Sequence, residues 1–187
     1  PILLNKSNKE MSEFANKTLK HLVISHNKLR NKGVKGILAN GEKLYSLNLS
    51  HNEVTSEISE NLGKLIEKSS NLREIIWDGN NIGAKGIYYI VRALKEDDSL
   101  VDSYRASFQK KSKIKKLSLR NTSLGEKGIS RLAEGLVDNK DLEVLDIGFN
   151  SIGLESFKEI CHCLNYSKIR KLVCHNNLLG DESMKYF

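Results

Sequence analysis

The sequence predicts an α/β fold: a right-handed solenoid bent into a horseshoe arc, with parallel strands on its concave face and helices on its convex face. Three observations carry that reading. A frame Leu-x-x-Leu-x-Leu-x-x-Asn-x-Leu, with Ile or Val allowed at the leucines, recurs six times. Each copy is followed by a stretch of helical periodicity. The copies recur at roughly 28 residues, room for one strand, one turn and one helix.

The copies are Leu19, Leu22, Ile24, Asn27, Leu29; Leu44, Leu47, Leu49, Asn52, Val54; Leu72, Ile75, Trp77, Asn80, Ile82; Ile114, Leu117, Leu119, Thr122, Leu124; Leu142, Leu145, Ile147, Asn150, Ile152; and Ile169, Leu172, Cys174, Asn177, Leu179. A short strand alternates its side chains, so the second and third apolar positions of each frame point into the stack and their neighbours face solvent. The Asn follows where the chain leaves the strand. Its amide both donates and accepts, so stacked copies form a ladder that satisfies the turn's backbone. Thr122 has one hydroxyl in place of the amide and does this only in part.

The helical halves show in Gly128, Leu132, Leu136 and Val137, and again in Phe157, Ile160, Cys161 and Leu164. One unit cannot bury both of its elements. Neighbouring units cover each other's core edges, which makes the array one domain over residues 1–187 with repeats starting near 19, 44, 72, 114, 142 and 169.

The interval from 72 to 114 is too long. Leu100, 28 residues beyond Leu72, opens Val101-Asp102-Ser103-Tyr104-Arg105, which reads as a decayed strand. Residues 100–113, with Phe108 and the basic run Lys110-Lys111-Ser112-Lys113, form either a degenerate half repeat or an inserted loop, and a loop there is a natural docking feature. Residues 1–18 look like the helical half of an earlier repeat, and Met184, Tyr186 and Phe187 begin the helix of a last one. The expectation is a fragment of a longer array.

The frame and its period resemble the ribonuclease-inhibitor-like class of leucine-rich repeats, the class also used by the Ran GTPase-activating protein and tropomodulin. The resemblance covers roughly residues 10 to 187. Leu72-Arg73-Glu74-Ile75-Ile76-Trp77-Asp78-Gly79-Asn80-Asn81-Ile82 is also similar to a repeat of the linker proteins that regulate actin capping protein, but regular repeats follow it here, a departure from that family. The resemblance implies architecture more strongly than function.

Composition sets bounds. With 39% apolar and 28% charged residues and a single proline, the chain is a folded one with ample polar surface. No apolar run approaches the ~18 residues of a membrane span, and Pro1-Ile2-Leu3-Leu4 is too short for a signal-peptide core. Cys161, Cys163 and Cys174 are odd in number and lack paired flanking clusters, so reduced thiols are expected. Asn-x-Ser/Thr triplets begin at Asn5, Asn16, Asn48, Asn121 and Asn165, as a chain rich in Asn and Ser produces by composition. The expected location is the cytosol or nucleus.

The frame also exposes a surface. Its solvent-facing columns begin with Lys20, Tyr45, Arg73, Lys115, Glu143, Arg170, then His21, Ser46, Glu74, Lys116, Val144, Lys171, and both lean basic. The remaining columns run Val23, Asn48, Ile76, Ser118, Asp146, Val173; Ser25, Ser50, Asp78, Arg120, Gly148, His175; and His26, His51, Gly79, Asn121, Phe149, Asn176. The partner-binding candidates are Tyr45, Arg73, Asp78, Lys115, Lys116, Arg120, Phe149, Arg170, Lys171 and His175. Cations with scattered aromatics suit a protein interface, and the net charge of +7 favours an acidic partner.

No catalytic constellation appears. There is no Gly-x-Ser-x-Gly elbow, phosphate-binding glycine loop or nucleophile with its base, so no enzyme and no cofactor is expected. His26 and His51 share a column on adjacent strands, but a third metal ligand is missing and His175 lies four or more strands away, on the order of 20 Å. Cys161-x-Cys163 has the wrong spacing for a zinc knuckle, and Trp77 holds a core position. Nucleic acid is disfavoured because stacking aromatics are sparse and Glu74, Asp78, Glu143 and Asp146 interrupt the basic columns. The expected function is a non-catalytic protein-interaction scaffold. The alternatives are a GTPase-activating protein resembling the Ran activator and an actin-regulatory repeat protein.

Overall fold

A computed structural model describes residues 18–95, 113–137 and 139–187; the expectations for residues 1–17 and 100–112 lie outside them. Six strands form one parallel sheet in sequence order: β1 His21–Val23, β2 Ser46–Asn48, β3 Glu74–Ile76, β4 Lys116–Ser118, β5 Val144–Asp146 and β6 Lys171–Val173. Between them run the helices α1 Arg30–Asn40, α2 Ser59–Lys68, α3 Gly83–Leu94, α4 Gly125–Leu136 and α5 Leu154–Leu164.

The register follows the frame. Leu22 pairs with Leu47, Leu47 with Ile75, Ile75 with Leu117, Leu117 with Leu145 and Leu145 with Leu172. Across the long interval β3 pairs directly with β4, Glu74 opposite Lys116, so the sheet continues there without an intervening strand. The backbone bonding repeats as well: the carbonyls of Lys20, Tyr45, Arg73, Lys115 and Glu143 each accept two N–H groups from the next repeat.

The inward frame residues are the core. Leu47, Ile75, Leu117 and Leu145 are fully buried, and each contributes on the order of 2 kcal/mol of hydrophobic stabilisation. Leu22 and Leu172, on the two outer strands, are only partly buried, since each has a described neighbouring repeat on one side. Trp77 is fully buried at the same inward position as Leu49 and Leu119.

Adjacent strands stand about 4.8 Å apart, whereas packed helices need about 8–10 Å. A stack that satisfies both must curve with its sheet inside. At two points the helices approach too closely for a larger residue: a side chain on Gly63 of α2 would meet the Tyr89 carbonyl of α3, and one on Gly135 of α4 would collide with Val91 of α3.

The asparagines form the expected ladder. Asn80 Nδ2 donates to the carbonyls of Leu49 and Trp77 (2.9 and 3.0 Å), and its Oδ1 accepts from the N–H groups of Asn52 and Val54 (3.0 and 3.2 Å). Asn150 does the same for Leu119, Thr122 and Leu124. The Thr122 hydroxyl donates to Leu119 O at 2.6 Å but, among the described residues, has no partner in the preceding repeat, where the Ile82 N–H bonds the Asn80 carbonyl instead (3.0 Å) and only the Thr122 carbonyl reaches across, to Gly83 N–H (3.0 Å).

The end of the chain departs from the sequence reading. Residues Asp181–Tyr186 form a short 3₁₀ helix, with Met184 and Phe187 exposed, instead of the first turns of an α-helix. Among the described residues no helix is long and apolar enough to cross a membrane.

Candidate protein-binding face

The sheet presents its solvent-facing columns as one surface, and the chain leaves each strand in an unusual way. His26, His51, Gly79, Asn121, Phe149 and Asn176 all occupy the left-handed region, with φ between +52° and +65°. This column is where each repeat turns out of the sheet. Asn, Gly and His tolerate the conformation far better than a bulky apolar residue does. Phe149 adopts it nonetheless, at φ +56°.

Side chains on the column interlock between repeats. The rings of His26 and His51 stack at 4.3 Å and 16°, and the His51 ring fills the space above Gly79. Farther along, the Arg120 guanidinium sits 4.6 Å from the Phe149 ring centroid, and Phe149 meets the His175 ring edge-on at 5.2 Å. His175 lies against Gly148, where an added Cβ would stand 3.0 Å from the imidazole. The structure therefore brings Arg120, Phe149 and His175, each from a different repeat, into one cluster.

Other candidates are engaged within the molecule. Lys116 is ion-paired with Glu74, its register partner, and Lys115 reaches Glu143 (3.1 Å) and Asp141 (3.4 Å). The Glu143 hydrogen bond, assisted by Asp141, raises the Lys115 pKa above the ordinary lysine value. Arg73 Nη1 donates to the carbonyls of Ser70 and Leu72, both at 3.0 Å. Asp78 Oδ1 accepts from Ser118 Oγ (2.6 Å) and the Arg120 N–H (3.1 Å), which ties β3 to β4 beyond the strands. Sequence reasoning passed over Glu74 and Asp141 as partners of these lysines. The signal for Glu74 was present, because it shares a column with Lys116 in the adjacent repeat.

Arg170 and Lys171 are exposed, and among the described residues neither has an ion-pair partner. Tyr45 is 47% exposed, apart from this group; with Lys20, His21 and Asn71 it lines a shallow hollow of about 350 Å³. Among the described residues no group of three or more His, Cys, Asp or Glu side chains is arranged to hold a metal. Cys161 and Cys163 are buried on α5, and burial pushes the Cys163 thiol up to about 12.

Comparison with known proteins agrees with the repeat architecture. Leucine-rich repeat family models match residues 15–38, 138–161 and 43–65. The ribonuclease inhibitor of Mus musculus is 26% identical over 156 residues, covering 78% of this chain and 31% of the relative. That of Sus scrofa is 26% identical over 143 residues, covering 74% and 28%. The chain thus spans under a third of the length of these relatives. Among solved structures, leiomodin-1 actin-binding site 2 matches with a TM-score of 0.59 at 18% identity, covering 74% of this chain and 75% of that one. The tropomodulin C-terminal domain of Caenorhabditis elegans matches with a TM-score of 0.58 at 18% identity, covering 84% and 89%.

Proposed function

Starting from a ribonuclease-inhibitor-like leucine-rich repeat solenoid, which this chain is, we propose a non-catalytic protein-interaction scaffold that holds an acidic partner protein against its concave face. The observation that carries this reading is the cluster of Arg120, Phe149 and His175 at the exits of β4, β5 and β6, with Arg170 and Lys171 at the entry of β6 free of ion pairs among the described residues. An aromatic anchor held by an arginine, with further cations on the same face, suits an interface centre. The repeats fix its geometry, so little ordering entropy is lost on binding. The cytosol is the proposed location, in keeping with three free cysteines.

The test is affinity capture from cytosol with the chain and with Arg170→Glu/Lys171→Glu. Both residues are exposed, so the fold is expected to be retained. Loss of acidic proteins from the captured set supports the reading; an unchanged set counts against the concave face.

Actin binding is a second reading, favoured by the match to a leiomodin-1 fragment described as an actin-binding site. Co-sedimentation with filamentous actin, and capture of monomeric actin, separate it from the first. No association with either form would remove it.

A further inference from the structure

We infer that the binding centre of this face is confined to repeats four to six, and that it takes an acidic segment carrying one aromatic or large aliphatic anchor. The inference rests on the scaffold reading above and says where on that face, and with what chemistry, the partner docks.

Three observations converge. The first is a division of charge. In the middle of the sheet Lys116 is matched by Glu74 and Lys115 by Glu143 and Asp141, while Arg170 and Lys171 at the entry of β6 have no carboxylate partner among the described residues. Among those residues Lys20 and Arg73 also lack a carboxylate, but backbone carbonyls hold them, that of Lys43 for Lys20 and those of Ser70 and Leu72 for Arg73, so it is at β6 that a carboxylate-bearing segment meets two consecutive cations with no internal partner. The second is apolar surface on the same repeats: half-buried Val144, the register partner of Lys171, half-buried Val173 on β6, and, at the exit of β5, Phe149, which is 38% exposed. The third is backbone strain. Phe149 stands in the left-handed region, where the equivalent positions of the flanking repeats hold Asn121 and Asn176. A bulky ring is costly there, and an outlier of this kind points to a use for the side chain that the fold does not require. Arg120 and His175 hold the ring from either side, so it is presented in one orientation.

Fluorescence anisotropy with a synthetic peptide tests this. The probe has a single Phe flanked by Asp and Glu, with controls bearing Asn and Gln for the acids, or Ala for the Phe, and a single-stranded oligothymidylate. The full chain is compared with Phe149→Asn, with Arg170→Gln/Lys171→Gln and, at the opposite end of the face, with Lys20→Gln/Tyr45→Ser. Asn already occupies the left-handed position in the neighbouring repeats, so Phe149→Asn removes the ring without a new backbone demand; melting curves check that each variant is folded.

The expected result is a loss of at least about tenfold in peptide affinity for both repeat-five and repeat-six variants, and under about twofold for Lys20→Gln/Tyr45→Ser. Both control peptides should bind more weakly than the probe. Affinity that falls only with Lys20→Gln/Tyr45→Ser overturns this inference and leaves the scaffold reading standing, its centre moved toward β1. Binding insensitive to all three variants, or no saturable binding at about 1 mM, overturns both. Tighter binding of the oligothymidylate than of the peptide overturns the protein-segment assignment.

Discussion

The His51 imidazole occupies the space that a side chain on Gly79 would need, one repeat along the strand-exit column. Gly79 is therefore constrained twice, by its φ of +65° and by the ring above it. Gly79→Ala should cost about 1–2 kcal/mol for the left-handed backbone and about 0.5–1.5 kcal/mol more for turning the exposed His51 ring out of the way. In a His51→Ala background only the first part should remain. Urea denaturation of the four proteins of this double-mutant cycle gives the coupling, and an equal cost of Gly79→Ala in both backgrounds would show that the ring is not the obstacle.

The asparagine ladder is broken at one rung, and the break is repairable. Thr122 is fully buried and sends no amide to repeat three, where Ile82 N–H bonds the Asn80 carbonyl instead. Thr122→Asn places donors and an acceptor where Asn80 and Asn150 already work in their own repeats. It should stabilise the chain by about 1 kcal/mol, the net worth of a buried hydrogen bond gained. Asn150→Ala, which strips the carbonyl of Leu119 and the N–H groups of Thr122 and Leu124, should cost at least about 2 kcal/mol. A lower thermal midpoint for Thr122→Asn would mean that the local backbone has closed around the hydroxyl.

Cys163 links stability to alkaline pH. Its thiol is pushed from 9.0 up to about 12 by burial, with the Cys161 thiol adding to the rise. The group contributes fully below the unfolded pKa near 9, and its contribution is lost as pH climbs toward 12, because the unfolded chain releases a proton that the folded chain retains. The slope approaches about 1.4 kcal/mol per pH unit for one such group. Stability measured at pH 8 and pH 10 should fall less in Cys163→Ala than in the parent chain. Identical losses in the two proteins would contradict the assignment. The same burial makes Cys163 inert to thiol reagents near neutral pH in the folded state.

The frame was legible because one apolar pattern reports one environment. Leu47, Ile75, Leu117 and Leu145 are read as inward from spacing alone, and they pair in that register. The Asn ladder followed from the chemistry of an amide at a fixed turn. The fit of helix on helix was not legible, because nothing in the local pattern says that Gly135 faces Val91 or that Gly63 faces the Tyr89 carbonyl. On the concave face, the sequence columns read as two that lean basic, interrupted by Glu74 and Glu143, beside three that are mixed. What divides that surface is pairing across strands, and Asp141, which lies outside the recurring frame, takes part in it. Phe149 was visible as the exposed aromatic of its column; its left-handed backbone and its contacts with Arg120 and His175 required coordinates.

The paired lysines supply the last prediction. The Lys115 and Lys116 side chains are 40% and 44% exposed, so their ion pairs stand largely in water, where such pairs contribute little. Glu74→Gln/Glu143→Gln should therefore change stability by no more than about 1 kcal/mol. Its effect on binding should be larger. Lys116 and Lys171 are register neighbours of the same residue, Val144, so removing Glu74 extends the unpaired charge of repeat six inward to repeat four. Affinity for an acidic peptide should rise several-fold at low salt, with a steeper decline as salt is added, because an additional exposed cation strengthens attraction that is screened over about 10 Å at 0.1 M. If affinity and salt dependence are both unchanged, the acidic segment does not reach the middle of the sheet. If stability instead falls by more than about 2 kcal/mol, Glu74 and Glu143 hold the strands in place, and the charge balance of the central repeats serves the fold before it serves any partner.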